Sequence, residues 1–296
     1  MHMRTDQKYY AINQSPLYML VMRSKLAKLL ATTDAELRRL SKYSDELYRE
    51  RDLPKKNGDG LRHIENPEYE LKKAQYALAN LLGRIAPPDY LFCPVKRRCY
   101  VTNAAQHRGH RVVQCLDIKK YFPNTTARRV FWFFHKVMKC DRAIAGTLTS
   151  IACYKEHLPT GSPLSPILAF FAHIDMWDAV AAICKRHGLT LTVYIDDITV
   201  SGNSVPEKIM WEIKQAIHRA GLRYHKEKKY IDYPAEITGV FVDGDRLLPP
   251  DCQFQKMRVV GSSLKSDLGT FTANKLRNKL IGLRGQLTQI RIQNQP

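Results

Sequence analysis

Thr192-Val193-Tyr194-Ile195-Asp196-Asp197-Ile198-Thr199-Val200 is an apolar, β-branched run broken only by two adjacent acids. The flanking runs, Leu189–Ile195 and Ile198–Ser201, predict two strands of a buried hairpin with Asp196-Asp197 between them. Asp-Asp is a permissible tight turn, although Asn-Gly or Asp-Gly is the usual choice. Taken alone, the pair reads as well as a plain turn as it does as a functional site.

A third acid changes the balance. Asp117 ends the apolar strand Val112-Val113-Gln114-Cys115-Leu116, where a strand tip presents its side chain. Two or three carboxylates brought within a few ångströms are costly unless cations lie between them. Magnesium takes few carboxylates plus substrate phosphates, and two ions ~3.5–4 Å apart clamp an in-line phosphoryl displacement. Asp117, Asp196 and Asp197 are therefore the candidate catalytic residues and ligands for two Mg2+ ions.

The charge agrees with a polyanionic partner. Of 296 residues, 47 are Lys or Arg and 28 Asp or Glu, a formal net charge of +19. Lysines and arginines on phosphates release condensed counterions, which drives association with nucleic acid. A basic protein without such a partner is the plainer alternative. The seven cysteines include no Cys-x-x-Cys pair and offer no zinc site. The N-terminus lacks the order of a signal peptide, and the apolar run Leu17–Met22 is too short to cross a bilayer. A cytoplasmic protein without a membrane partner is expected.

Outward from the carboxylates, helical spacing predicts a helix over Pro16–Ala31, then a second one capped by Thr33 and Glu36. Tyr48–Leu53 and Leu61–Glu65 read as strands joined by the turn-rich Pro54–Gly60. Helices are predicted at Glu68–Ile85, at Thr102–His107, near 126–138 and 141–153, from Pro163 to Arg186, and over 206–220. Short strands follow at 229–233, 236–242 and 246–248, and then a basic helical end with no acid after Asp267. Leu276, Leu280, Leu283 and Leu287 form one stripe of that end and Arg277, Arg284 and Arg291 another. The arginines are either a solvated face or contacts to an RNA backbone.

Leu116-Asp117-Ile118-x-x-Tyr121-Phe122, then Leu158-Pro159-Thr160-Gly161-Ser162-Pro163-Leu164-Ser165-Pro166, then Tyr194-Ile195-Asp196-Asp197 resemble motifs A, B and C of reverse transcriptases, in order. The resemblance covers roughly residues 45 to 250. It implies an α+β right-hand polymerase. Residues 1–110 would form N-terminal helices and fingers, and residues 111–248 the palm, with a fingers segment at about 125–157. Residues 249–296 would form a short helical thumb. By position, Ile118 joins the metal set beside Asp117. Phe122 matches the ring that excludes a ribose 2′-hydroxyl, with core packing as its plainer reading. Gly161 would let the backbone approach the incoming nucleotide, Arg62 would grip its triphosphate, and Lys228 resembles the lysine near the leaving group. Thr160 and Ile195 depart from the Gln and Ala common in the family.

Asn103-Ala104-Ala105-Gln106-His107 and Ile237-Thr238-Gly239 resemble the Asn-Ala-x-x-His and Val-Thr-Gly elements of retron reverse transcriptases. A helix cap and a strand kink are their plainer readings. The resemblance implies RNA contacts at Asn103, His107, Thr238, Gly239 and the three arginines. It implies as partners a cognate structured non-coding RNA, its branched RNA-linked cDNA, dNTPs and an effector protein in anti-phage defence. No RNase H domain is expected in a chain of this length. The alternatives are a non-retron bacterial reverse transcriptase, group II intron-like or defence-associated, and a catalytically silent RNA-binding scaffold. The intact acids argue against the scaffold.

Overall fold

The structure, a computed structural model, describes residues 9–54, 60–264 and 270–295. Helix α1 spans only Arg23–Leu29. Residues 16–22 have helical spacing yet form an irregular segment. Met19 adopts φ +52° and donates its N–H to Met138 O at 2.9 Å, so a tertiary contact displaces the helical bond. Helix α2 (Asp34–Lys42) starts as expected, with the Thr33 side chain accepting from Glu36 N. Strands β1 (Tyr48–Pro54) and β2 (Leu61–Pro67) pair antiparallel in register throughout. The middle of their expected turn, residues 55–59, lies outside the described residues. Helix α3 (Tyr69–Leu82), strand β3 (Leu91–Cys93), helix α4 (Tyr100–Ala105) and strand β4 (Val112–Ile118) follow.

Next come α5 (Tyr121–Asn124), α6 (Ala127–Trp132) running into a π-helical turn at Phe133–Val137, and α7 (Arg142–Ala152). The single helix expected over 163–186 is two, α8 (Ser165–Ala172) and α9 (Ile174–Arg186), bent by 69°. His173 makes the break at φ −118°, and its ring bonds Thr125 Oγ1 at 3.3 Å from a fully buried position. Among the described residues, no single helix is long and apolar enough to cross a membrane.

Strands β5 (Thr190–Tyr194) and β6 (Asp197–Gly202), helix α10 (Glu207–Arg219) and strand β7 (Tyr224–Ile231) come next. β7 begins five residues before the expected start. Its exposed Lys and Glu side chains hide the strand period, as charges do on edge strands. The run 236–242 is a hairpin, β8 (Ala235–Ile237) and β9 (Val240–Asp243), because Thr238 and Gly239 both adopt positive φ, +48° and +82°. β10 (Arg246–Leu248), α11 (Asp251–Ser263) and α12 (Thr270–Gln293) complete the chain.

The result is a mixed α+β architecture in two compact units. The first comprises residues 1–89, 118–180 and 213–224. Its core gathers Leu26, Leu37, Leu71, Phe133, Leu148 and Trp177, all fully buried. The second comprises residues 90–117, 181–212 and 225–296. It carries most of a five-stranded mixed sheet of order β3-β5-β6-β4-β7 and the three-stranded sheet β10-β9-β8. A core of Val101, Ala104, Val113, Ile237, Val240 and Ile290 joins α4, the small sheet and α12. In α12 the leucine stripe is half-buried, while Arg277, Arg284 and Arg291 are exposed.

Candidate active site

Apolar alternation fixes the strand register from which the site is built. Leu116, Ile118, Ile198 and Val200 are buried on one face while Thr199 and Ser201, also buried, alternate with the β6 pair, so a one-residue slip of β6 would exchange apolar for polar side chains between its two faces. In that register β4 and β6 run antiparallel with Cys115 opposite Thr199 and Asp117 opposite Asp197. β5 pairs with β6 so that Tyr194 faces Asp197, which leaves Ile195-Asp196 as the two-residue turn. The turn is therefore one residue earlier than the expected Asp196-Asp197, and Asp197 opens a strand. Ile195 is held at φ +61°. That conformation costs a β-branched residue roughly 1–3 kcal/mol and clusters at functional sites.

Like charges directly opposite on a sheet repel, and Asp197 records the cost. Burial, then Asp196 and Asp117, push its carboxyl up to about 7, while Lys226 and Lys228 oppose the rise. His225 Nδ1 lies 3.4 Å from Asp117 Oδ1. A cleft of about 410 Å³ opens here, lined by Asp117, Asp197, Lys226, Lys228, Glu236 and Thr238 among others. Among the described residues, no three His, Cys, Asp or Glu side chains converge as a ready-made metal cage. A magnesium site needs none, since it draws most of its oxygens from water and substrate phosphates. The crowded pair Asp117–Asp197, with one carboxyl destabilised as an anion, fits a divalent cation.

The two shorter motifs meet in space. Asn103 Nδ2 donates to Thr238 Oγ1 at 3.3 Å across 135 residues of sequence, and Thr238 Oγ1 donates to Tyr100 O at 3.2 Å. His107 is fully buried, with Nδ1 2.6 Å from Ser201 Oγ and Nε2 2.8 Å from Thr192 Oγ1. Burial, with His110 nearby, drives it down to about 3, so the ring is neutral. Asn103 and His107, both expected as RNA contacts, are buried in the structure. Both side chains are enclosed and tie α4 to the hairpin turn and to β5 and β6. Thr238 is half-buried and Gly239 exposed.

In the first unit, Arg62 is exposed on β2, opposite Leu53. Gly161 N donates to Glu65 O at 3.1 Å, and a Cβ on Gly161 would lie 2.4 Å from that oxygen. The glycine is thus required by the approach of β2's own backbone, a cause the sequence reading did not include. Thr160 strengthens the same contact, donating from Oγ1 to His63 O at 2.9 Å and from N to Glu65 Oε2 at 3.1 Å. Phe122 is half-buried, its ring centroid 6.0 Å from that of Tyr121. Lys228 in β7 pairs with Glu236 Oε2 at 3.0 Å. Sequence reasoning missed Glu236 and His225, because nothing in their local sequence marks them apart from other charged strand residues.

A profile of reverse transcriptases (RNA-dependent DNA polymerases) matches residues 53–240. Retron Ec86 reverse transcriptase of Escherichia coli is 30% identical over 218 residues, 71% of this chain and 68% of that protein. Retron Mx162 reverse transcriptase of Myxococcus xanthus is 27% identical over 64% of this chain and 46% of its own length. Retron Ec48 reverse transcriptase of E. coli is 24% identical over 87% and 67%. With its paired strand-end aspartates and with the two short motifs in contact, the chain belongs to the reverse transcriptases, as an RNA-directed DNA polymerase of the retron kind.

Proposed function

We propose that this polymerase copies a cognate structured non-coding RNA into short cDNA by two-metal-ion nucleotidyl transfer. The observation that carries the reading is the register that sets Asp117 opposite Asp197 with Asp196 in the adjoining turn. Reverse transcriptases generally use Mg2+, and Asp117, Asp196, Asp197 and the Ile118 carbonyl would hold two ions here. When bound, the ions supply activation of the primer hydroxyl and neutralisation of the triphosphate and leaving pyrophosphate. Lys226 and Lys228 add fixed positive charge to the same cleft. Arg62 offers a forked guanidinium for the triphosphate. Phe122 offers a bulky ring that selects against a ribose 2′-hydroxyl, and Gly161 offers a backbone without a side chain in the way.

In the right-hand division, residues 1–110 serve as fingers, 111–248 as palm with a fingers segment at about 125–157, and 249–296 as thumb. The thumb arginines Arg277, Arg284 and Arg291 follow RNA phosphates, and the turn of half-buried Thr238 and exposed Gly239 offers a further contact. The product is cDNA joined to RNA by a 2′,5′ branch, made in the cytoplasm, with an effector protein in anti-phage defence as its outlet.

The test is to express the chain with its native flanking DNA, purify it and sequence the bound nucleic acid with and without debranching enzyme. A short DNA joined to RNA, absent from the Asp197→Asn protein, is expected. Synthesis retained by Asp197→Asn would overturn the metal assignment, and RNA bound without any DNA would overturn the branched product.

A further inference from the structure

Lys228 projects into the same cleft as Asp117 and Asp197, and its charge acts on Asp197. It lies on an edge strand whose neighbours are mostly exposed, so its long side chain would otherwise be free to leave the cleft. Glu236 Oε2, 3.0 Å from Lys228 Nζ, holds it there.

Glu236 in turn belongs to a fixed element. It lies on β8, paired opposite Phe241 and two residues before Thr238. Ile237 and Val240 beside the turn are buried in the core that includes Val101 and Ala104 of α4. Thr238 is tied to α4 twice, by Asn103 Nδ2 and by its own bond to the Tyr100 carbonyl. A chain of named contacts therefore runs from α4 through the hairpin turn to Glu236, Lys228 and the cleft.

We propose that Glu236 is a positioning residue for nucleotide addition, and that the β8–β9 hairpin clamped on α4 is the device that sets where Lys228 stands. The inference rests on the reading of Lys228 as the cation facing the leaving pyrophosphate. In the resting enzyme the carboxylate holds the ammonium in place without neutralising the cleft permanently. An arriving triphosphate, with more negative charge than one carboxylate, competes for the same ammonium. Glu236 touches no reacting atom and acts only through Lys228. Removing it is therefore expected to affect turnover rather than template binding.

The measurement is primer extension on an exogenous RNA template by the full-length protein, with kcat and KM for dNTP determined separately. The proteins compared are Glu236→Gln, Glu236→Asp, Thr238→Val, Lys228→Ala and the double variants with Lys228→Ala. Lys228→Ala is expected to lower kcat by about tenfold or more. Glu236→Gln should lower kcat several-fold with little change in KM, and Glu236→Asp should restore part of it. Thr238→Val should give a smaller loss in the same direction. None of these losses should persist in the Lys228→Ala background, because residues acting through one another are not additive. Full kcat in Glu236→Gln alongside a loss in Lys228→Ala overturns the positioning role and leaves the lysine's role standing. Losses that multiply with Lys228→Ala mean that Glu236 merely stabilises the hairpin, and overturn it too. Full kcat in Lys228→Ala removes the lysine from the chemistry and the inference with it.

Discussion

Asp197 concentrates the cost of the site in one residue. Its carboxyl is pushed up to about 7, first by burial and then by Asp196 and Asp117. Below pH ~3.8 it is protonated both folded and unfolded, and no penalty exists. Above that value the unfolded chain ionises freely while the folded one resists, so stability is lost as pH rises towards 7, and the full penalty stands above it. Asp197→Asn removes that penalty, on the order of 1–4 kcal/mol. In metal-free buffer at pH 8 the variant should melt a few degrees higher than the parent protein, and at pH 3 the two should coincide. Adding Mg2+ should stabilise the parent more than the variant, because the ion binds the folded carboxylates. A variant no more stable at pH 8 would mean that neither burial nor the neighbouring acids penalise the Asp197 carboxylate.

At the scale of elements, the neutral imidazole of His107 joins α4's end to β5 and β6 through Thr192 and Ser201. His110 Nδ1 shares the same Ser201 hydroxyl at 2.7 Å and is also lowered by burial. Lowered from 6.5 to about 3, His107 costs nothing above pH 6.5, where it is neutral in both states. As pH falls below 6.5 the unfolded chain takes up a proton that the folded one refuses. Stability is then lost at up to ~1.4 kcal/mol per pH unit until about pH 3. His173, lowered to about 4, adds a second loss of the same sign in the other unit. His107→Gln should therefore shrink the drop in urea midpoint between pH 7 and pH 4.5. An unchanged drop would show that His107 is protonated in the folded chain.

For the whole molecule, the excess of positive charge predicts a steep salt dependence of RNA binding. Deleting the basic end is a poor way to test its share. Ile290 is buried in the core with α4 and the small sheet, and Arg108 donates to Gln293 O at 2.6 Å. Asn294 also bonds Leu247 in both directions. Truncation would uncover that core. Replacing Arg277, Arg284 and Arg291 with Gln leaves it intact, since all three are exposed. The slope of log K against log salt should fall by about 2, at ~0.7–0.9 per lost phosphate contact. An unchanged slope would take the three arginines out of the RNA interface.

The sequence by itself determined the apolar strand that ends at Asp117 and the two that meet around Asp196-Asp197, the α+β class, and the family, because apolar patterning and motif order are local properties of the chain. It also placed the N-cap at Thr33 and the leucine stripe of α12, where neighbours three and four residues apart decide the outcome. Tertiary structure alone decided which acids oppose each other. Cross-strand register joins residues 80 apart and moved the turn to Ile195-Asp196. It broke the run over 163–186 at His173, through a bond to Thr125 that no local pattern records. It made Gly161 a requirement of β2's approach, brought Asn103 to Thr238, and set Glu236 beside Lys228. Each of these is a contact between segments remote in sequence, and its energy depends on where packing leaves the two partners.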